Sequence, residues 1–359
     1  MDVLHLQDYP IFIGPCEEAL SRFLESRRDA AVFVLVDENS ESCCLPRLSG
    51  VRQLAQAVVL RIQSGETFKN LDTCSGIWRQ LLDAGAGRRG LLINLGGGVI
   101  GDMGGFCAST YKRGMDFVQI PTTLLSQVDA SIGGKLGIDF HEVKNSIGVF
   151  ANPRAVFIDP GFLDTLSFRE VRSGYAEIIK HALIADSGMW NALKTKRDLE
   201  TLPWIDLIPP SLQIKKRIVE ADPFEKGLRK ALNFGHTIGH AIEAVSLQSA
   251  APLLHGEAIA AGMICEAWLS FRAGYLDQQE LETIAAYLIQ VYQPQLLHDS
   301  NYMAYLQLMR NDKKNEADEI NFTFIGPPGT AHVNQMAGEA EIVASFAYLN
   351  GRLGDQGLG

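Results

Sequence analysis

The sequence predicts an α/β amino-terminal domain with a parallel sheet, joined to a mainly α-helical carboxyl-terminal domain. Two observations carry this. Through the first half, short and nearly continuous apolar runs alternate with helical patterns, as parallel strands buried on both faces do. After about Asp164 those runs largely stop, and apolar residues recur at helical spacing instead. At 359 residues the chain is long for one core and suits two domains, expected at 1–165 and 166–359.

The strands are read in order from their apolar runs. Residues 31–36 form the first, closed by Asp37; 58–62 and 90–95 follow; 117–120 and 155–159 complete the set. Helical segments such as 75–84 separate them. In the second half, 170–185, 212–220, 230–245 and 256–273 carry helical periodicity, with Pro203 and the pair Pro209-Pro210 as punctuation. Residues 320–325 form a late strand, closed by Gly326-Pro327-Pro328-Gly329. The four glycines of 351–359 predict a frayed tail.

The net charge of −10 disfavours a nucleic-acid or anionic-membrane partner, either of which calls for a basic surface. It leaves room for an anionic small substrate in a local cationic pocket. The six cysteines include no CxxC pair, and Cys43 and Cys44 are too close for an unstrained disulfide. They fit a reducing compartment. Met1 to His5 shows no basic, apolar leader pattern, and no stretch approaches the roughly 18 apolar residues of a membrane span. A cytoplasmic protein is expected.

Two motifs carry chemistry. Gly96-Gly97-Gly98-Val99-Ile100-Gly101-Asp102 follows a strand and fits G-x-G-x-x-G. There, glycine lets the backbone approach a pyrophosphate and the next helix aims its first amides at the anion. The motif also fits an ordinary strand-to-helix turn, and it comes later than the first strand. Asp37 has two readings as well, a carboxylate for an adenine ribose or a helix cap. The second motif gathers three of the eight histidines: His236 and His240, one helical turn apart, and His255 shortly after. Their spacing suits one metal, although the glutamate of HExxH is missing and a metalloprotease is not indicated. Glu177 is a candidate carboxylate ligand, or else an ion-pair partner of Lys180. Lys135, after Gly133-Gly134, is the most suggestive of the cations.

Taken together, these runs resemble the 3-dehydroquinate synthase family over about residues 64–325. The ordered matches include Gly96 to Asp102, Tyr111-Lys112-Arg113-Gly114, Pro121-Thr122-Thr123, Gln127 to Lys135, Lys144-Asn145, Ala176 to Lys180, Gly227-Leu228-Arg229, Leu232 to Glu243 and His255-Gly256-Glu257. The resemblance implies NAD+ and zinc as cofactors, with Co2+ able to replace zinc at such ligands. It implies Glu177, His236 and His255 as the metal ligands, leaving His240 beside the metal as a proton-transfer residue. Gly98, Val99, Ile100, Gly101, Asp102, Thr122, Thr123, Lys135, Lys144, Phe162, Leu163, Asp164 and Thr165 match cofactor contacts, as do Glu66 and Lys69. Asp37 matches the adenosine-ribose position. Lys135, Asp129, Asn145, Lys180, Lys215, Arg229, Asn233 and His240 match the substrate pocket, and one of Lys313 and Lys314 a late phosphate contact. Arg113 matches a residue reaching in from a second subunit, which implies a homodimer. One departure stands out: Ser64 occupies the place of the family's usual aspartate in Ser64-Gly65-Glu66.

The implied substrate is a phosphorylated sugar acid, 3-deoxy-D-arabino-heptulosonate 7-phosphate. The implied chemistry is transient oxidation at C5, elimination of phosphate, return of hydride, ring opening and aldol closure. No net redox change is expected. Another sugar phosphate cyclase and a metal-dependent alcohol dehydrogenase of the glycerol dehydrogenase kind are the competing expectations.

Overall fold

The chain forms two units, Met1–Val171 with Pro203–Leu212 and Arg172–Leu202 with Gln213–Gly359. The computed structural model describes residues 1–6, 8–141, 143–247, 249–310 and 320–354.

In chain order the first unit contains β1 (Asp2–Leu6), β2 (Tyr9–Ile13), α1 (Glu17–Glu25), β3 (Val32–Val36), α2 (Glu38–Cys43), β4 (Val58–Arg61) and α3 (Leu71–Asp83). It continues with β5 (Leu91–Gly96), α4 (Gly98–Thr110), β6 (Asp116–Pro121), β7 (Lys135–Phe140), β8 (Val143–Phe150) and β9 (Val156–Ile158). Seven strands form one sheet in the order β1-β2-β9-β6-β5-β3-β4, while β7 and β8 pair separately as an antiparallel hairpin. The expected strands all form, and their pairings are parallel. The sheet is not wholly parallel, however, because the edge strand β1 runs antiparallel to β2, which itself pairs in parallel with β9. Strand β1 is not evident from the sequence because Asp2–Leu6 is mostly exposed and has no continuous apolar run.

Side-chain alternation explains the two-faced core. Phe33 and Leu35 of β3 enter a cluster with Ile77 and Leu81 of α3 and Met103 of α4. Their neighbours Val34 and Val36 point the other way, into a cluster with Leu20 and Leu24 of α1. Each such fully buried side chain stabilises by about 1.5–3 kcal/mol. The strand order reverses at β3: β4 lies on one side of it and β5 on the other. In open α/β sheets, ligands bind outside the carboxyl ends of strands at such a switch point. Asp37 follows β3 at that end, and the glycine-rich turn follows β5.

The second unit is mainly helical. It takes α5 (Phe168–Ala185) from Arg172 on and α7 (Trp204–Ala221) from Gln213 on, and it holds α6 (Ser187–Leu193), α8 (His236–Ser246), α9 (His255–Arg272), α10 (Gln278–Tyr292) and α11 (Tyr302–Arg310) whole. The hairpin of β10 (Asn321–Ile325) and β11 (Ala331–Met336) precedes α12 (Glu339–Gly354). Helix α9 is the centre: it is buried without interruption from Gly256 to Ala267 and packs on α8, α10 and α12.

Three expectations are corrected here. The helix expected over 230–245 is two elements, a 3₁₀ turn Leu228–Asn233 and then α8, broken where Gly235 takes φ +79°. The helix expected over 212–220 begins at Trp204 and runs through Pro209 and Pro210. Both prolines fall in its second turn, so they remove two helical hydrogen bonds without ending it. The tail expected to fray from 351 is helical through Gly354, and 355–359 lie outside the described residues. Among the described residues no helix is long and apolar enough to cross a membrane, and all six cysteines are free.

Candidate active site

In the first unit, Gly97 caps α4 in extended conformation with no side-chain hydrogen bond, so the first amides of a 13-residue helix have no side-chain cap. Gly98, Val99, Ile100, Gly101 and Asp102 form the opening of that helix. Beside it lies a small cleft lined by Gly96, Gly97, Gly98, Pro121, Ser126 and Ser131, among others. A Cβ on Gly97 would stand 3.1 Å from Thr123 Cγ2, a tight contact that Thr123 would have to relieve by a few tenths of an ångström. Thr122 N donates to Gly96 O at 3.0 Å, tying the ends of β5 and β6 together. Thr123 Oγ1 bonds Ser126 Oγ at 2.8 Å.

Lys69 organises the neighbouring residues. The residue is 4% exposed, and its Nζ donates to Asp102 Oδ2 at 2.6 Å and to Asn145 Oδ1 at 2.7 Å. Burial opposes its charge, but Asp102, Glu66 and Asp139 outweigh that and hold its pKa above the usual lysine value. Glu66 Oε1 stands 4.0 Å from both Lys69 Nζ and Lys144 Nζ. Asn145 has φ +50° and donates its N–H to Asp139 at 2.7 Å.

The remaining expected residues of this unit are placed as follows. Asp37 caps α2, accepting through Oδ1 from Ser40 N (2.7 Å) and Ser40 Oγ (2.8 Å). Its cap reading is therefore a structural fact. Ser64, the departing residue, donates N–H and Oγ–H to the two carboxylate oxygens of Glu38 at 3.0 and 2.6 Å. Phe162 and Leu163 are buried in the 3₁₀ turn Pro160–Thr165, where Thr165 Oγ1 donates to Phe162 O and exposed Asp164 pairs with Arg47 at 3.2 Å. Asp129 lies in a π-helical turn, Ser126–Ala130, and exposed Lys135 opens β7. Arg113 is exposed with φ +67°, next to Lys112 at φ +49°. Two successive non-glycine residues in left-handed conformation are a local strain of the kind that collects at functional sites. The Lys112 amine anchors the turn on Ala86 O at 2.6 Å.

In the second unit, α5, α8 and α9 bring the metal candidates together. Glu177 is fully buried on α5, and its Oε1 stands 3.5 Å from His236 Nε2 and 3.7 Å from His255 Nε2. Its other oxygen accepts from Lys180 Nζ, itself 1% exposed. Both readings of Glu177 thus coexist, one per oxygen. His240 belongs to the same cluster: its ring centroid is 5.1 Å from that of His236 and 5.8 Å from that of His255. One ligand atom from each of the three histidines lies within 4.8 Å of the others, so the three-histidine grouping suggested by spacing is present too.

The roles of the supporting groups were not visible in the sequence. His236 Nδ1 lies 3.1 Å from Phe234 O, and His255 Nδ1 3.3 Å from Glu243 Oε2. These contacts turn both Nε2 atoms toward Glu177. Burial disfavours charge on His255, but the carboxylates of Glu243 and Glu177 prevail and push its pKa up to about 10. Buried Glu266 of α9 accepts from Gly235 N (2.7 Å) and Ile238 N (3.0 Å), clamping the start of α8 and with it His236. Glu257 has a structural job: it accepts from Leu254 N at the start of α9 and from Arg172 at 2.9 Å. Close backbone approach fixes the rest. A Cβ on Gly256 would stand 1.9 Å from Ser173 O, and one on Gly262 would stand 2.1 Å from Gly235 O.

The cationic residues are built just as locally. Asp222 accepts from the N–H groups of Lys226, Gly227 and Arg229 at 3.0, 2.7 and 3.1 Å, folding the loop that presents Arg229. Arg229, 3% exposed, also donates to Pro223 O at 2.6 Å. Asn233 Nδ2 donates to Glu225 Oε1 at 2.7 Å, and Lys215 is 4% exposed on α7. Glu225 and Glu266 carry no motif of their own, and Glu243 ends the Leu232–Glu243 run with no role assigned; only their proximity to the motif residues in space reveals what they do. Lys313 and Lys314 lie outside the described residues.

Comparison with known proteins identifies the family. The family model described as 3-dehydroquinate synthase N-terminal matches residues 59–173, and the one described as 3-dehydroquinate synthase C-terminal matches 174–315. The 3-dehydroquinate synthase of Parabacteroides distasonis is 41% identical over 339 residues, 93% of this chain and 96% of that protein. The chain belongs to the 3-dehydroquinate synthase family. Among solved structures, 2-epi-5-epi-valiolone synthase from Streptomyces hygroscopicus subsp. jinggangensis, with NAD+ and Zn2+ bound, superposes with a TM-score of 0.85. It is 26% identical and covers 98% of this chain and 99% of its own. A 2-deoxy-scyllo-inosose synthase complexed with carbaglucose-6-phosphate, NAD+ and Co2+ shares the fold, with a TM-score of 0.82, 22% identity and coverage of 97% and 99%. The 3-dehydroquinate synthase family is thus matched on both units, and the α/β and helical halves keep their order.

Proposed function

We propose that this chain converts 3-deoxy-D-arabino-heptulosonate 7-phosphate into 3-dehydroquinate and phosphate, with NAD+ and a divalent metal, zinc or cobalt, as cofactors. Beside family membership, the observation that carries the reading is buried Glu177 with two histidine Nε2 atoms at 3.5 and 3.7 Å. Two ligands at roughly 2.0–2.1 Å from a tetrahedral ion stand roughly 3.3 Å apart, whereas a direct N–H···O bond is shorter than the spacing found. Glu177, His236 and His255 therefore fit a metal. The bare turn at Gly96–Gly98 and the uncapped start of α4 fit a dinucleotide diphosphate.

When bound, the metal supplies Lewis acidity at a hydroxyl oxygen and the dinucleotide a reversible hydride acceptor. The chain's own residues supply the rest. His240, in the cluster but outside the proposed ligand set, carries protons. Lys180, Lys215 and Arg229 offer positive charge to carboxylate and phosphate, and Asn233 is oriented by Glu225. In the first unit, Lys135, Asp129 and Asn145 contact substrate. Glu66, Lys69, Asp102, Thr122, Thr123, Lys144 and the Phe162–Thr165 turn hold the dinucleotide, with Asp37 at its ribose. Arg113 reaches a second copy in a homodimer, and the protein works in the cytoplasm.

The test is phosphate release from this substrate by the purified chain with catalytic NAD+ and added zinc. Release without NADH accumulation is expected. No release sinks the reading; stoichiometric NADH favours an alcohol dehydrogenase, and release only from other sugar phosphates favours a different cyclase.

A further inference from the structure

Ser131 lines the cleft beside α4 and is 8% exposed; its Oγ is sealed from solvent and has no hydrogen-bond partner among the described residues. The other polar side chains of that wall are accounted for. Gln119 Nε2 donates to Gly101 O at 3.0 Å. Ser126 Oγ bonds both Thr123 Oγ1 and Thr123 O, at 2.8 and 2.9 Å. Ser131 N donates to Ser126 O at 3.2 Å, an i→i+5 bond that closes the π-helical turn. Such turns are rare and concentrate at functional sites. The backbone is thus committed to holding Ser131 in the cleft wall, while its hydroxyl is left without a partner.

A buried hydroxyl without a partner is costly, so its position calls for a reason. The cleft supplies one. The start of α4 carries a partial positive charge and amides with no side-chain cap, so an anion is the favoured guest. Turned toward such an anion by rotation about χ1, the Ser131 hydroxyl donates its proton to it.

We propose that Ser131 is a further dinucleotide-binding residue, donating a hydrogen bond from Oγ to a phosphate oxygen of the diphosphate seated at the start of α4. The assignment rests on the cofactor reading above and deepens it.

Ser131→Ala removes one buried oxygen and no existing hydrogen bond, so the fold should survive. The experiment titrates NAD+ and, separately, ADP into the metal-free, substrate-free protein, and records the thermal midpoint without ligand. The expected result is a dissociation constant raised about 10- to 100-fold for both ligands, as befits loss of a bond to a charged group. The ligand-free midpoint should be unchanged or higher. Unchanged NAD+ affinity overturns the assignment, as does a loss confined to NAD+, which would move the contact to the nicotinamide half. A lowered ligand-free midpoint also overturns it, because the hydroxyl would then serve the fold. Failure of the wild-type chain to bind NAD+ is a separate outcome that removes the cofactor reading itself.

Discussion

Glu243 and His255 are joined at 3.3 Å between Oε2 and Nδ1, and this contact turns the imidazole so that Nε2 stands 3.7 Å from Glu177. Carboxylates behind metal-binding histidines fix the tautomer and make the ligand more basic. Glu243→Ala is expected to weaken zinc binding about 10- to 100-fold. Glu243→Gln, which keeps an acceptor oxygen, should lose less. Competition with a chromogenic chelator measures both, and equal affinity in wild type and Glu243→Ala would show that packing alone orients the ring.

Glu177→Gln should do two separable things. It removes the proposed anionic ligand, so zinc should no longer raise the thermal midpoint. It also leaves Lys180, 1% exposed, without its charged partner, at a cost of about 3–5 kcal/mol. Calorimetry with and without zinc separates them. A zinc-dependent shift that persists in the variant would remove Glu177 from the ligand set.

Ser64 and Glu38 should behave as a coupled pair. Ser64→Asp restores the usual residue of the family but sets two carboxylates against each other where two hydrogen bonds now stand. NAD+ binding should weaken in Ser64→Asp and recover when Glu38→Ser is added. A double-mutant cycle reads the coupling directly. Additive effects would mean that Glu38 plays no part in tolerating Ser64.

Asp222 should set an acid limit for the loop that carries Arg229. Burial raises its pKa, but the amides of Gly227, Lys226 and Arg229 more than offset this and hold it below the usual aspartate value. A depressed folded pKa stabilises above the unfolded value of about 3.9 and loses that contribution as pH falls through the folded value. Asp222→Asn should therefore be less stable near neutral pH and lose less on acidification. Parallel acid-unfolding curves for the two proteins would contradict this.

How much of this was legible in the sequence depends on distance along the chain. Strands β3 and β5 were readable because both faces are buried and the apolar run is unbroken. The β7–β8 hairpin was missed because no glycine- or asparagine-rich turn joins its strands. The break at Gly235 was hidden inside a periodic pattern, since the periodicity holds on either side of it. At the candidate site, the histidines and glycines were visible as local spacing. The Lys69–Asp102 and Gly235–Glu266 contacts join residues about thirty positions apart, and no periodicity reports such pairs. Resemblance bridged part of that gap by naming Glu177. Its matched runs include Glu243 and Ser131 but assign neither a role, and they do not reach Glu266.

The glycines between and beside the metal candidates have an evolutionary consequence. At Gly256 and Gly262 a single methyl group would collide with a carbonyl oxygen. Selection for folding alone is then enough to preserve them. A descendant that had lost the reaction would still carry the glycines of its histidine-bearing segments. Retained activity in such a relative should be judged from Glu177, His240 and Glu243, where chemistry rather than crowding sets what is tolerated.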